Sequence, residues 1–528
     1  MGSGLVPNGI ATKTRGKNAE VLAMAAGLRP FLIASAASAA LAATAGTTAA
    51  GSNPPASPQT FEALGNAAMD TLTGTLYAGD GRWKACLQGG CPAIDHDWGA
   101  DALTYALYLR WSAQPDARAF ELLRAIAAAL PDYPPCRLPD CAQWSDVPSW
   151  DAIAAVRAYQ ATGDPAALER ARAAYASVAD SDAYGGGACP EIRFQRPPSV
   201  RARDPAQGAF KTLETDANAL KAALLLYEVT REDAYRNDAL STYAAIRRNY
   251  LDPEVPLYTV YVEDRGGRCA QLPHRFFASV NGDMIWSGLA LARATGEQTY
   301  GAQAIASAQA VDGRLADSRG VFADLQAEND VAEPLVEAML ELATRDPERG
   351  RFARDWILRN ASAAAGARRP DGTYGRFFDG PPPRAPATAW QTNGALALAI
   401  AAAQLAPDAI AGGPPDWTAA QNLRVSVRTE TLPAELTFTG SGAALIGTLG
   451  ERCCQIGHAR VLVDGVETFD GSGIWQNKSS SGQSLRDSVL FAWRWPAAGP
   501  HHIEILPGEP NGKEGGAFAD IRRMLVAP

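Results

Sequence analysis

A recurring helix–turn–helix unit constrains the fold of this chain more than any other feature of its sequence. Between residues 60 and 408 the apolar residues recur at helical spacing, and short polar turns join successive helices. The unit is clearest at 150–159, 217–227 and 283–293, with weaker copies that begin at Asp101, Glu333 and Trp390. Six such units predict an (α/α)6 toroid over residues 60–410, in which an inner ring of helices carries the site.

The spacing of the apolar residues changes to every second position after residue 416. Segments 423–429, 435–438, 459–463 and 489–495 alternate apolar and polar side chains, as strands do. This pattern predicts a small all-β sandwich domain of roughly a hundred residues over 420–528. The sandwich either binds carbohydrate, through Trp475 and its neighbours, or braces the toroid.

The charge balance excludes one class of partner. The chain has 528 residues, with 48 Lys and Arg against 57 Asp and Glu, and a net charge of −9. Without a run of basic residues, the electrostatic basis for binding nucleic acid is missing. The five His residues do not provide the ligand spacing of a zinc site. We therefore expect a monomer with no cofactor, no metal and no nucleic-acid partner.

The N-terminal fifty residues resemble a signal peptide followed by a linker. Lys13, Arg15 and Lys17 precede an apolar run over 31–43, which is too short for a permanent membrane span. This pattern predicts a secreted or periplasmic protein without a stable membrane span. In an oxidising compartment the short spacings Cys86-x4-Cys91 and Cys136-x4-Cys141 predict two local disulfides.

Three motifs carry a resemblance to a known family. They are Asp146-Val-Pro-Ser-Trp150 followed by Ala-Tyr-x-x-Thr-Gly-Asp, segment 213–227 with a Thr-x-x-x-Asn pattern near Asn218, and Ser279-Val-Asn-Gly-Asp283. In this order and spacing they resemble glycoside hydrolase family 76, a group of (α/α)6 enzymes with endo-α-1,6-mannanase activity. The resemblance implies two adjacent Asp residues shortly before the Trp, one as nucleophile and one as acid/base. This sequence has Ser145-Asp146 there, so only one of the two carboxylates is present.

Glycoside hydrolysis requires two carboxyl groups in one cleft, one to protonate the leaving oxygen and one to attack or to activate water. We assign Asp146 as nucleophile or base. Candidates for the partner lie near the starts of inner helices, and Asp97 or Asp216 is favoured as the acid. The full set of candidates is Asp97, Asp101, Asp151, Glu214, Asp216 and Asp283. Helix capping is the competing explanation for Asp at these positions.

Aromatic residues near the same loops predict where a sugar would bind. The apolar face of a sugar ring stacks on indole and phenol rings, while its hydroxyl groups need polar partners. The predicted substrate-binding residues are Trp98, Trp144, Trp150, Asn281, Asp283, Tyr374 and Trp390. The aromatic members cap the core of the toroid in the alternative interpretation.

These observations predict an exported, endo-acting glycoside hydrolase whose partner is a polysaccharide or oligosaccharide. One alternative is a polysaccharide lyase or epimerase on the same fold, for which His96, Tyr258, Tyr261 and His274 are candidate bases. A second alternative is a non-catalytic glycan-binding protein, because the second Asp of the pair is missing.

Overall fold

A computed structural model of the chain describes residues 59–84, 87, 93–94, 98–132, 144–179, 185–196, 201–202, 207–272, 275–323, 332–382, 389–412, 417–449, 458–468, 473–474, 485–508 and 518–528. Asp97, His96, His274, Trp475 and the four Cys residues of the predicted local disulfides lie outside these ranges. Within the ranges, no helix combines the length and the apolar character needed to cross a membrane.

In the described part of the chain, twelve α-helices lie between residues 61 and 405. They are α1 (Phe61–Asp70), α2 (Trp98–Ala113), α3 (Ala117–Ala129), α4 (Val147–Thr162), α5 (Pro165–Ala179), α6 (Leu213–Thr230), α7 (Asp233–Tyr250), α8 (Ala278–Thr295), α9 (Gln298–Arg314), α10 (Glu333–Arg345), α11 (Arg351–Gly366) and α12 (Ala389–Leu405). The predicted repeat units therefore correspond to successive helix pairs.

The even-numbered helices form a closed inner ring. Each contacts the next, and α12 returns to contact α2, where Gln404 Nε2 donates a hydrogen bond of 2.6 Å to the carbonyl of Leu109. The odd-numbered helices pack outside this ring, and α1 closes against α12. The predicted (α/α)6 toroid is confirmed.

Burial explains which helices lie inside. In α6 every residue from 215 to 226 is buried, whereas the outer helix α7 alternates buried and exposed positions. A helix without a polar face must be surrounded by other elements. Close approach within the ring depends on small residues, since a Cβ atom at Gly282 of α8 would lie 2.2 Å from the backbone nitrogen of Leu335 in α10.

Within the described residues of the toroid, two small antiparallel sheets lie in the connections between helices. The first contains β1 (Tyr77–Gly79), β2 (Arg82–Lys84) and β3 (Ala93–Ile94), and the second contains β4 (Phe210–Thr212), β5 (Tyr261–Arg265) and β6 (Arg268–Gln271). A disulfide between Cys189 and Cys269 ties the loop before β4 to β6. The sequence did not predict this bond, because its two Cys residues are 80 positions apart.

The C-terminal part is an antiparallel β domain, as predicted. Its strands are β7 (Gln421–Arg428), β8 (Ala434–Leu449), β9 (Ala459–Val463), β10 (Val466–Glu467), β11 (Gly473–Ile474), β12 (Leu485–Pro507) and β13 (Asp520–Ala527). They follow the order β10-β9-β12-β8-β13-β7, with β11 on β9. The long strands β8 and β12 pair with each other in the middle of the sheet. Their register shifts between Arg494 and Gly499, and an irregularity of this kind bends a sheet.

The β domain is held against the toroid by aromatic and charged side chains. Trp493 Nε1 in β12 donates to Ser318 Oγ at 2.8 Å, and Trp417 Nε1 donates to the carbonyl of Asp379 at 3.1 Å. The guanidinium of Arg494 lies 5.2 Å from the centre of the Trp417 ring. The loops around 317 and 379 therefore form the toroid side of this junction.

A buried carboxyl pair stabilises the junction. Asp317 and Asp379 are 7% and 5% exposed, and their side chains are hydrogen-bonded to each other. Burial, together with the charge of Asp379, raises the pKa of Asp317 to about 7, although the backbone N–H groups of Val321 and Arg319 oppose the shift. Arg319 donates to both oxygens of Asp379, at 3.2 and 2.9 Å. The pair therefore shares a proton below neutral pH.

Because Asp317 and Asp379 share a proton, the stability of the folded protein should depend on pH. Because the folded-state pKa of Asp317 is raised, its contribution is complete below the unfolded-state value of about 4 and is lost as the pH rises through 7. Asp317→Asn keeps an N–H donor toward Asp379 at every pH. Between pH 5 and 8 the free energy of unfolding of the variant should therefore improve relative to wild type by at most about 3 kcal/mol, because only about two pH units of this window lie below 7. Urea unfolding at several pH values measures the difference, and a difference independent of pH would contradict the shared proton.

Candidate active site

Asp146 lies at the loop end of the inner ring, immediately before α4. It occupies the N-cap position, yet its side chain makes no capping hydrogen bond with the helix. Instead, its Oδ2 accepts a hydrogen bond of 3.2 Å from the indole Nε1 of Trp150, one turn further along. The residue is 7% exposed. Capping, the usual reason for Asp at this position, therefore does not account for it.

A tethered loop runs beside Asp146. The N–H of Ser145 donates to the carbonyl of Gln195 at 3.0 Å, and the guanidinium of Arg196 lies 3.2 Å from the centre of the Trp144 ring. The disulfide at Cys189 anchors the same loop. The chain on both sides of Asp146 is therefore held in place, which is the condition for a catalytic group to keep its geometry.

Lys211 is hydrogen-bonded to the backbone of the same loop. Its Nζ is buried and donates to the carbonyls of Gly186, Cys189 and Ile192, each at 2.7 Å. Burial lowers the pKa of Lys211 to about 8, despite the opposing charge of Asp264. The ammonium group thus satisfies backbone oxygens that water would otherwise bind.

Asp101 lies in the first turn of α2, the inner helix that packs against α4. The rings of Tyr105 and Trp150 meet edge to face, with 6.1 Å between their centres. Residues four positions apart lie on the same face of a helix, so Asp101 lies one turn from Tyr105 just as Asp146 lies one turn from Trp150. Both carboxyl groups therefore lie at the loop end of neighbouring inner helices, and Asp101 is only 1% exposed.

Further from the loop end than Asp101 and Asp146, five side chains from five inner helices form a charged cluster. We call it the axial network, and its members are Tyr105, Arg157, Lys221, Asp283 and Glu337. Lys221 Nζ donates to Asp283 Oδ1 at 2.7 Å and to Glu337 Oε2 at 2.6 Å. Tyr105 donates to Asp283 at 3.2 Å, and Arg157 donates to Glu337. Each of the five residues is at most 5% exposed.

The two carboxyl groups of the axial network have opposite electrostatic balances. Burial raises the pKa of Asp283, and the charge of Lys221 only partly opposes it. Burial also acts on Glu337, but Arg157 and Lys221 outweigh it and lower the pKa of that carboxyl group. Two cations thus face two acids, and the network links five inner helices.

The geometry disfavours two of the predicted roles. Asp216 is completely buried, forms an ion pair with Arg193 Nη1 at 3.0 Å, and accepts a hydrogen bond from Tyr250 at 3.1 Å. Burial raises its pKa. Asp283 is committed to Lys221 within the axial network. Both candidate carboxyl groups are thus engaged by partners within the protein.

Asn281 also has a structural role. Its amide exchanges two hydrogen bonds with the backbone of Tyr258, at 2.9 and 3.0 Å, and donates a third to the carbonyl of Phe277. These three hydrogen bonds commit the amide to the backbone, so its predicted contact with substrate is disfavoured.

The predicted aromatic residues separate into buried and accessible ones. Trp150 and Tyr374 are each 2% exposed and belong to the core, whereas Trp144 is partly exposed beside Asp146. Trp98 and Trp390 fall in the first two residues of α2 and α12, as expected for the loop face, and their side chains lie outside the described part. Trp144 thus remains the best-supported ring for stacking on a sugar.

The two described Tyr residues proposed as lyase bases are poorly suited to that role. Tyr258 and Tyr261 are 1% and 3% exposed, and burial raises the pKa of Tyr258. A base must lose its proton near neutral pH, which this environment opposes.

Unsatisfied polar groups cluster at the same end of the ring. In the described part of the chain, the amides of Asn218 and Asn393 and the hydroxyls of Ser149 and Thr215 are buried without a hydrogen-bond partner. All four residues lie within the first two turns of α4, α6 or α12. Buried polar groups normally have partners, so water or a polar ligand is expected there.

Comparisons with known proteins find similarity in the fold of this chain and not in its sequence. No protein-family profile matches the sequence, and no curated protein matches it either. An inactive variant of a family 76 α-1,6-mannanase from a Salegentibacter species, with two adjacent Asp residues replaced by Ala and in complex with α-1,6-mannotetrose, matches at a TM-score of 0.55. It is 19% identical, and the match covers 66% of this chain and all of that one.

Two further solved structures give the same result. A family 76 mannosidase from Bacteroides thetaiotaomicron is 15% identical over 65% of this chain and 98% of its own, with a TM-score of 0.53. Dfg5 from Chaetomium thermophilum, in complex with glucosamine, is 14% identical over 67% of this chain and 92% of its own, also at 0.53. The resemblance to family 76 is therefore confirmed at the level of the fold.

If the axial network stabilises the fold, replacing its shared cation should lower the free energy of unfolding. Lys221→Met leaves Asp283 and Glu337 buried without their shared cation, and removing one partner of a buried ion pair typically costs about 3–5 kcal/mol. Urea unfolding should show a loss of that size, while Lys84→Met, at an exposed site, should change stability by less than about 0.5 kcal/mol. Adding Asp283→Asn to Lys221→Met should recover part of the loss. Equal stability of Lys221→Met and wild type would show that the network is not needed.

Proposed function

We propose that this protein is a glycoside hydrolase that cleaves a polysaccharide between Asp101 and Asp146. The observation that carries the proposal is the placement of these two carboxyl groups on neighbouring inner helices, at the loop end of the toroid. The cluster of unsatisfied polar groups in the first turns of the same ring supports a polar ligand there. Two carboxyl groups in one cleft are the minimum that glycoside hydrolysis requires.

The environment distinguishes the roles of the two residues. Asp146 accepts a hydrogen bond from the indole N–H of Trp150, and this donor favours a carboxylate. The general acid of a glycosidase is usually the more desolvated carboxyl group, and Asp101 is the more buried of the two. We therefore assign Asp146 as the base and Asp101 as the acid.

The reaction then balances with one water molecule. Asp101 protonates the glycosidic oxygen, which leaves as a hydroxyl group of the departing sugar. Asp146 accepts a proton from water as the water oxygen bonds to the anomeric carbon. Solvent returns the proton from Asp146 to Asp101, and each turnover consumes one water.

Ser145 explains why the acid comes from another helix. In family 76 the resemblance implies an Asp beside the residue equivalent to Asp146, whereas the side chain here is a hydroxyl. A hydroxyl group cannot supply the second carboxylate. Asp101 belongs to a different repeat, so the two groups meet through packing rather than through adjacency in the chain.

The fold relatives support the choice of a substrate class to test first. One of them is an α-1,6-mannanase variant that holds an α-1,6-mannotetrose, and we propose an α-linked mannan as the first substrate to test. A bound oligosaccharide of that length also supports endo-action. Export is supported by the apolar run in the N-terminal fifty residues and by the Cys189–Cys269 disulfide.

Substitution of Asp146 tests the proposal. Asp146→Asn preserves the size of the side chain but removes the base, so release of reducing ends from α-1,6-mannan should fall by a factor of about 10² or more. Asp164→Asn is the matched control, because Asp164 is exposed in a turn at the opposite end of the toroid and Asn also caps helices. The control should retain wild-type activity.

Two results would overturn the assignment. Wild-type activity in Asp146→Asn would exclude this residue as the base. Binding of glycans by the wild-type protein, without release of reducing ends from any glycan in a broad panel, would favour the non-catalytic glycan-binding alternative.

A further inference from the structure

A groove of about 470 Å³ lies at the junction of the toroid and the β domain, away from the residues assigned to catalysis. Its lining includes Arg314 from the end of α9 and, from the β domain, Val463, Val466, Glu467, Trp493 and Trp495. The volume is within the range of ordinary ligand pockets. The groove therefore combines two indole rings with aliphatic and charged groups.

The two indole rings are fixed in place by their own N–H groups. Trp493 and Trp495 alternate along β12, so their side chains emerge on the same face of the strand. Trp493 donates to Ser318 Oγ at 2.8 Å, and Trp495 donates to Asp464 Oδ2 at 2.9 Å. Trp495 is 7% exposed and stacks on His501 with 3.9 Å between the ring centres, whereas Trp493 is partly exposed. Because the N–H group of Trp493 is already satisfied, the open surface of its ring offers apolar contact.

Asp464 provides a fixed negative charge beside these rings. Its Oδ2 also lies 3.0 Å from His501 Nδ1, and its Oδ1 accepts the backbone N–H of His502 at 2.8 Å. Burial alone would raise the pKa of Asp464, but these hydrogen bonds outweigh it and lower the pKa. An acceptor for hydroxyl groups is thus maintained at the edge of the groove.

The groove continues into a second one. Asp464 also lines a depression of about 480 Å³, whose other residues include Phe438, Pro500 and His501. Adjoining grooves of similar size suit a chain of linked units better than a single small molecule. On the rim of the first groove, Val466 is 70% exposed, although it is aliphatic.

We propose that the two grooves form a binding site for a glycan chain, separate from the catalytic carboxyl groups. The C–H face of a sugar ring packs on indole and valine, and its hydroxyl groups bond to Asp464, Glu467 and Arg314. Only the choice of glycan, an α-1,6-mannan, rests on the proposed function. The site would hold the polymer on the enzyme between cleavage events.

A variant at the rim tests the site in the full chain. Val466→Arg places a long charged side chain across the mouth of the groove, and the exposure of Val466 protects the fold. Ile410→Arg is the matched control, since Ile410 is 62% exposed and lies in the toroid, outside the groove lining. Both are made in an Asp146→Asn background, so that the glycan is not cut. Affinity electrophoresis in gels that contain α-1,6-mannan or dextran measures binding.

We expect Val466→Arg to weaken retardation by mannan at least tenfold, and Ile410→Arg to match its parent. With Asp146 intact, Val466→Arg should cleave a short α-1,6-linked mannooligosaccharide within twofold of the wild-type rate. Equal retardation of Val466→Arg and its parent, or no retardation of any protein, would overturn the groove while leaving hydrolysis to be judged on its own. Retardation that Val466→Arg abolishes, with no cleavage of any glycan by wild type, would support the groove and contradict the proposed function.

Discussion

The shared cation at the axis of the toroid is the interaction on which the rest of the structure depends. Lys221 joins a carboxyl group of α8 to one of α10, and Arg157 extends the pairing to α4. Inner helices built from small apolar residues can approach closely, but their packing alone does not fix their rotation. A charged group that must meet two partners at once permits only a narrow range of orientations. The loop ends of the helices are thereby oriented as well.

The candidate site uses this orientation directly. Tyr105 donates to Asp283 of the network, and its ring packs against Trp150, which in turn donates to Asp146. A continuous set of contacts therefore runs from the buried charges to Asp146, the residue we propose as the base. Asp101 lies one turn before Tyr105 on α2, the helix that packs against α4. The function we propose thus depends on groups that never touch the substrate.

The sequence predicted the architecture well because the fold is repetitive. Helical spacing over six units and the later change to alternation identify a toroid and a β domain without knowledge of any contact. The local motif around Asp146 drew attention to this residue, and its role remains a prediction. The limits assigned to the two domains and to the N-terminal segment remain predictions.

Features that join distant segments were not predictable in the same way. Lys221 lies within the apolar run 217–227, where one charged residue does not disturb the helical pattern, although a lone charge in such a run is itself a signal of a buried ion pair. The choice among the candidate acids depended on which helices touch. Asp216 has the right residue type and position in the chain, yet Arg193 and Tyr250 occupy it from other segments.

The stereochemistry of cleavage tests the central claim most directly, because it reports how the two carboxyl groups are separated. Adjacent aspartates are absent, and acid and base on different helices leave room for a water molecule, which requires a gap of about 6.5–9.5 Å. Proton NMR of the first sugar released from an α-1,6-linked mannooligosaccharide distinguishes the anomers before they equilibrate. The account predicts inversion, with the β-anomer formed first. Initial formation of the α-anomer would mean retention through a covalent intermediate, and it would contradict the assignment of Asp101 and Asp146 as a separated acid and base.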